Sequence, residues 1–276
     1  MKSLLFAECF KLFRQSKTYY AIASLLIIEG IILMSAYFEG TNIINLLLDN
    51  LRKTFYFKGN LLNGNLLQYL VLNTLWFHLP LIIMIVVSGM LTAEYKDKTV
   101  QTVFLQPVRK WKWILSKYII AVGFTVFIVG LLFITSYWLC NVFFGKGDLV
   151  VYLDGLSFFS AKDASNRIQW AFIAGTISMV FFAVSSLTLA IILKDVTKTW
   201  IVCALFLIIC NVLLKIDLGS DWLNQFVFFK LNDTWQYFFQ YEIPYSSIWL
   251  NWLISIFYII TIASVGIIIF QKRDIG

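Results

Sequence analysis

Residues 118–140 read YIIAVGFTVFIVGLLFITSYWLC, an unbroken apolar stretch without a charged side chain. A helix of this length covers roughly 35 Å at 1.5 Å per residue, which exceeds the roughly 30 Å hydrocarbon core of a bilayer. The stretch therefore predicts a membrane-spanning helix and decides the fold class.

The composition of the whole chain supports this reading. Of 276 residues, 60% are hydrophobic and 13% are charged, whereas a soluble domain has about 45–50% and about 25%. The sequence therefore excludes a water-soluble globule, a disordered chain and a nucleic-acid module.

Six apolar windows predict six helices, in a single membrane domain that covers residues 1–276. Continuous runs exclude a β-barrel, which would need short strands of alternating polarity. The fifth window is short, so it either thins the bilayer locally or continues beyond Lys215. The predicted spans are 19–37, 70–91, 118–140, 170–193, 199–214 and 248–270.

The net charge of +7 indicates orientation. When successive loops are assigned to alternate sides of the membrane, 14 Lys and Arg residues lie on the side of the N-terminus and 8 lie on the other side. Basic residues accumulate on the cytoplasmic side of membrane proteins. We therefore expect a multi-pass protein of the cell membrane with both termini in the cytoplasm.

The residue types leave little room for an enzyme or a metal site. His78 is the only histidine, and the four cysteines form no C-x-x-C pair. An intramembrane protease would need a nucleophile with a partner histidine, or clustered metal ligands. We predict no catalytic and no metal-binding residue.

Residues 1–18 predict an interfacial helix along the inner leaflet. Leu5, Cys9 and Leu12 recur on one face, while Glu8 and Lys11 fall on another. The segment, which also carries Arg14, is either a basic anchor for the first span or a contact for a partner protein.

The loop 92–117 predicts a short amphipathic helix. Val100, Val103 and Phe104 form a narrow apolar face, and Pro107 should end the helix near Leu105. Such an exposed apolar ridge needs a groove in a partner or a membrane surface.

Glu29 is the only charged residue inside a predicted span. Such residues usually face a cavity, a bundle interior or a partner. Glu29 therefore either contacts substrate or lines a water-filled cavity, or else it is a protonated carboxyl that is hydrogen-bonded to a neighbouring helix. Asn73, His78 and Asn211 are weaker candidates, since helix–helix hydrogen bonding or an interfacial position explains each of them.

Residues 215–247 mix ten aromatic side chains with acidic ones. This mixture predicts short helices that dip back into the outer leaflet, or else an aromatic belt that anchors the domain. The aromatic residues are Trp222, Phe226, Phe228, Phe229, Trp235, Tyr237, Phe238, Phe239, Tyr241 and Tyr245.

The ordered set of features resembles the ABC-2 family of ABC-transporter permeases. The pattern after the second span is an acidic residue, an apolar helical stretch, a proline and basic residues. Lys98 stands where that family often has glycine, and residues 270–275 resemble its basic–acidic ending. The matching positions are Glu94, Thr99, Val103, Phe104, Leu105, Pro107, Arg109 and Lys117.

The resemblance implies an all-α type II ABC exporter fold whose cytoplasmic helix docks into a separate ATPase. The docking segment would comprise Glu94, Thr99, Val100, Val103, Phe104, Pro107 and Arg109. Glu94 would contact Lys11 or Arg14 of the interfacial helix, or else be a solvated carboxylate at a helix end.

By the same resemblance, residues 215–247 would form an outer gate, and Glu29 and Asn73 are candidates for the translocation path. The gate would comprise Trp222, Phe228, Phe229, Trp235, Phe238 and Phe239. Two permease chains, identical or related, would enclose the path.

This chain has no G-x-x-x-x-G-K-[ST] loop, so ATP and magnesium would be bound by the partner ATPase. The expected cargo is an amphipathic peptide, an antibiotic or a lipid-like molecule, moved outward. The alternative is a membrane anchor or assembly factor without transport activity.

Overall fold

The structure is a computed structural model that describes residues 1–52, 62–153, 155–214 and 226–273, together with Ile216 and Gly219. Helices dominate it. In chain order, the elements are α1 (Lys2–Arg14), α2 (Ser16–Arg52), α3 (Gly64–Lys96), α4 (Thr99–Phe104), α5 (Lys110–Phe144), β1 (Leu149–Tyr152), β2 (Leu156–Phe159), α6 (Ala161–Leu193), α7 (Val196–Leu214), α8 (Phe228–Leu231), a 3₁₀ helix (Thr234–Phe239) and α9 (Tyr245–Lys272).

Within these residues, six helices are long and apolar enough to cross a membrane: α2, α3, α5, α6, α7 and α9. They coincide with the six predicted spans, which confirms a multi-pass, all-α membrane protein. All six extend past the predicted windows at one or both ends because polar residues continue the helix outside the apolar stretch. Helix α7 has 19 residues and ends at Leu214. Ile216 and Gly219 lie in bends, and the other residues from 215 to 225 lie outside the described residues.

Helix α6 is the centre of the bundle and packs against α3, α5 and α9. In its most apolar stretch 72% of the residues are buried, against 11% in α9. Small side chains on α6 let the neighbouring helices approach closely. At Gly175, a β-carbon would overlap the Trp76 ring of α3, so this contact requires glycine.

A two-stranded antiparallel hairpin, β1–β2, lies between α5 and α6 and was not predicted. It is joined to the start of α3. The Asn63 side chain accepts a hydrogen bond from the Leu66 amide at 3.1 Å and donates to the Asp148 carbonyl at 2.7 Å. The Asn65 amide donates to the Gly147 carbonyl at 2.8 Å.

Candidate functional site

Four charged side chains form a closed ring where α1, α3 and α5 meet. Lys117 Nζ lies 2.7 Å from Glu8 Oε2 and 3.0 Å from Glu94 Oε2. Lys11 Nζ lies 3.0 Å from Glu94 Oε1 and 3.3 Å from Glu8 Oε1. Each carboxylate therefore contacts both ammonium groups, and we call these four residues the charge ring.

The charge ring is buried on the side of α5. The Lys117 side chain is fully buried and that of Glu8 is 3% exposed. Lys117 also donates to the Met90 carbonyl at 3.2 Å and lies 4.6 Å from the centre of the Trp113 ring. A buried charge is tolerated only when it is paired and hydrogen-bonded, and these contacts satisfy Lys117.

Lys11 closes the ring on its open side, where 45% of its side chain is exposed. Burial disfavours the Lys11 ammonium, but the Glu94 and Glu8 carboxylates outweigh this effect and raise the pKa of Lys11. Arg14 is exposed instead and lies 5.5 Å from the Phe10 ring. Of the two basic residues predicted beside Glu94, the structure places Lys11 there.

Glu8 corrects the predicted faces of the interfacial helix. The sequence pattern places Glu8 and Lys11 on a polar face apart from Leu12, yet Glu8 and Leu12 are the buried residues of α1. The reason is that Lys117 of α5 provides a buried partner for the carboxylate. Hydropathy within α1 cannot report a partner 109 positions away.

Helix α4 follows the charge ring directly. The Thr99 hydroxyl donates to the Glu94 carbonyl at 3.3 Å, which joins the start of α4 to the end of α3. Lys98 between them has φ 54° and ψ 17°, a left-handed conformation that favours glycine. The helix ends at Phe104, close to the end at Leu105 that Pro107 predicts.

The apolar face of α4 points inward, which corrects the expected exposed ridge. Val100 is 2% exposed, and Val103 is packed against the same core. The Phe104 ring centre lies 5.3 Å from that of Trp113 and 6.0 Å from that of Phe270. The ridge therefore binds the chain's own α5 and α9.

The opposite face of α4 is open to the surroundings. Gln101 and Thr102 are exposed, and Leu105 is 86% exposed. Pro107 and Arg109 are also exposed in the connection to α5. A partner that meets α4 would therefore contact this face.

The ends of α5, α6 and α9 are tied together beside α4. Lys110 Nζ donates to the Arg273 carbonyl at 2.9 Å. The Arg273 guanidinium donates to the carbonyls of Ile191 at 2.6 Å and Ile192 at 3.1 Å. Of the predicted basic–acidic ending, Asp274 and Ile275 lie outside the described residues.

Glu29 is fully buried between α2 and α5. Its Oε2 accepts a hydrogen bond from the Thr135 hydroxyl at 2.8 Å, and its Oε1 has no hydrogen-bond partner among the described residues. This geometry matches the helix–helix hydrogen bond, one of the two predicted alternatives.

The other polar candidates in the spans do not join Glu29. Asn73 is exposed on α3, and His78 Nδ1 lies 3.1 Å from the Thr74 carbonyl. The Asn211 amide donates to the Leu207 carbonyl of its own helix at 2.9 Å. The structure therefore does not bring Glu29 and Asn73 to one surface.

The aromatic segment after α7 packs against α6, α7 and the last membrane-crossing helix, α9. Trp235, Phe238 and Phe239 are buried, and the Phe228 ring stacks on Phe181 with centres 4.2 Å apart. Phe229 is partly buried. Trp222 lies outside the described residues.

Arg167 of α6 fixes the end of this aromatic segment. Its guanidinium donates to the carbonyls of Phe238 at 2.9 Å and Gln240 at 2.8 Å. No sequence pattern marked Arg167, because its partners are backbone oxygens more than 70 positions away.

In the part that the structure describes, no three His, Cys, Asp or Glu side chains cluster as a metal site requires.

Comparison with known proteins gives a family for the chain. No curated protein matches the chain. The family model described as "Protein of unknown function (DUF2705)" matches residues 32–276, which is most of the sequence. The chain therefore belongs to the DUF2705 family.

Proposed function

We propose that this protein is the membrane permease subunit of an ATP-driven ABC exporter, with the type II exporter fold of the ABC-2 permeases. The observation that supports the proposal best is the placement of α4. This short helix follows the second span, begins next to the charge ring, and leaves one face exposed for a partner.

The contacts that hold α4 suit a helix that transmits motion from a partner protein to the membrane helices. Its inner face is fixed to α5 and α9 through Phe104, Trp113 and Phe270, and its start is fixed to α3 through Thr99 and Glu94. A load on the outer face would therefore reach three helices that extend into the membrane. Conformational changes in proteins are commonly transmitted by rigid helices or domains that shift between two discrete arrangements.

In this proposal a separate ATPase subunit binds ATP and magnesium and docks on the outer face of α4. Leu105 is its apolar anchor, with Gln101 and Thr102 beside it. Two permease chains, identical or related, enclose the translocation path, and both termini lie in the cytoplasm. The cargo is an amphipathic peptide, antibiotic or lipid-like molecule that moves outward.

The test is co-purification of a P-loop ATPase with the tagged chain from its native membrane, followed by an ATPase assay. Leu105→Asp should reduce ATPase recovery about thirtyfold, because losing an interface anchor costs about 2 kcal/mol. The matched control is Tyr152→Asp in β1, whose side chain is 70% exposed at the opposite end of the bundle.

Two results would overturn the proposal. Recovery of a stable complex without any ATPase would favour the membrane anchor or assembly factor. Equal ATPase recovery with Leu105→Asp and Tyr152→Asp would exclude α4 as the docking helix.

A further inference from the structure

Helix α1 has a second face that the charge ring does not use. Glu8 and Leu12 face the bundle. Lys2, Phe6, Phe10 and Arg14 are all exposed, and they recur at intervals of four residues, which places them along one stripe of the helix. The stripe has an apolar centre and a cation at each end.

The exposure of this stripe is large. Phe6 is 76% exposed and Phe10 is 55% exposed. Two neighbouring aromatic rings on one face are costly in water, but they suit the boundary between lipid headgroups and acyl chains. The stripe therefore matches a membrane surface better than bulk solvent.

Contacts with α5 show how α1 lies relative to the spans. Glu8 contacts Lys117, and the Phe13 ring centre lies 5.6 Å from that of Phe127, ten positions further along α5. Ten helical residues cover about 15 Å. The C-terminal end of α1 therefore lies beside the apolar stretch of α5, deeper than its N-terminal end.

This placement leaves Arg14 beside the hydrocarbon, and no carboxylate of the described residues pairs with it. Its guanidinium lies 5.5 Å from the Phe10 ring centre. Arginine at such a depth reaches toward the headgroups and forms strong paired hydrogen bonds with phosphate.

We propose that the stripe formed by Lys2, Phe6, Phe10 and Arg14 binds an anionic phospholipid of the leaflet in which α1 lies. Arg14 and Lys2 each pair with the phosphate of such a lipid, whose negative charge no choline cation offsets, while Phe6 and Phe10 insert beside the acyl chains. The opposite face of α1 stays fixed by Glu8, so the lipid and the charge ring hold the helix from two sides.

The proposal does not depend on the transport function, and its test does not use an ATPase. The purified chain in mild detergent is mixed with phosphatidylglycerol and phosphatidylcholine of identical acyl chains. Native mass spectrometry then counts the lipids that each protein retains. The variant is the double substitution Lys2→Gln with Arg14→Gln, and the control is Lys146→Gln with Lys162→Gln, two exposed lysines next to the β1–β2 hairpin.

The wild-type chain and the control should retain more phosphatidylglycerol than phosphatidylcholine. In the stripe variant, the ratio of retained phosphatidylglycerol to phosphatidylcholine should fall about fivefold for each cation removed. Phosphatidylglycerol should also raise the melting temperature of the wild type and the control but not of the stripe variant. Equal retention of both lipids by the wild type, or unchanged preference in the stripe variant, would overturn the proposal.

Discussion

Two buried carboxylate sites in this protein differ in the partners that compensate the burial of their carboxyl groups. In the charge ring, Glu8 and Glu94 share two ammonium groups at distances of 2.7 to 3.3 Å. Glu29 has a single hydrogen bond from Thr135, and its other oxygen has no hydrogen-bond partner among the described residues.

The difference shows which acidic residues depend on the rest of the fold. Each member of the charge ring compensates two others, so removing one leaves an unpaired charge in a buried place. Glu29 depends on one neutral hydroxyl, and its removal leaves no ion without a partner. The ring therefore holds three helices together, whereas the Glu29 contact joins only α2 and α5.

The largest effect that separates the two sites should come from Lys117→Met. It leaves two buried carboxylates with only Lys11 between them, so we expect a loss of about 3–5 kcal/mol in the free energy of unfolding. Equilibrium unfolding in mixed detergent–denaturant micelles measures it, with the exposed Lys96→Met as control.

The double variant Glu8→Gln with Lys117→Met tests the same ring. Removing one charge of each sign should cost less than the sum of the two single variants, because the remaining pair, Lys11 and Glu94, stays balanced. Additive losses would show that Glu8 and Lys117 do not act as a unit.

A smaller effect is expected from Glu29→Gln. Glutamine keeps an acceptor for the Thr135 hydroxyl, so the free energy of unfolding should change by no more than about 1 kcal/mol. The same unfolding assay measures it. A loss as large as that of Lys117→Met would mean that Glu29 has a cationic partner, and would remove the contrast between the two sites.

The smallest effect concerns the pH dependence of the charge ring. The pKa of Lys11 is raised above its usual value of 10.5, so its folded form binds the proton more tightly than the unfolded chain. The stabilisation is complete below pH 10.5 and is lost as the pH rises through the raised pKa. It is small because the side chain is half-exposed and solvent screens it.

Comparing the melting temperatures of the wild type and Lys11→Gln between pH 9.5 and pH 12 measures this effect. The difference between the two proteins should narrow with increasing pH. A constant difference would show that the Lys11 charge does not stabilise the ring.

The spans were predictable because hydropathy is a local property. A run such as 118–140 needs no knowledge of its neighbours to be recognised as a membrane helix. The end of α4 was also predictable from local sequence, since Pro107 cannot continue a helix.

The site was only partly predictable because its partners are distant in sequence. Lys117 enters the sequence argument as a basic residue ahead of the third span, and nothing in α1 indicates that Glu8 reaches it. The inward face of α4 depends on Trp113 and Phe270, which belong to two other helices. An amphipathic pattern identifies an apolar face but not which surface covers it.

Lys98 has a mechanical consequence for the connection between α3 and α4. A residue with a β-carbon is disfavoured in the left-handed conformation by about 1–2 kcal/mol, whereas glycine adopts it without steric cost. The contacts on both sides of the turn, from Thr99 to Glu94 and from Phe104 to Trp113 and Phe270, therefore hold Lys98 in a conformation that it would otherwise leave. The connection between α3 and α4 stores a small backbone strain that is released when α4 separates from the bundle.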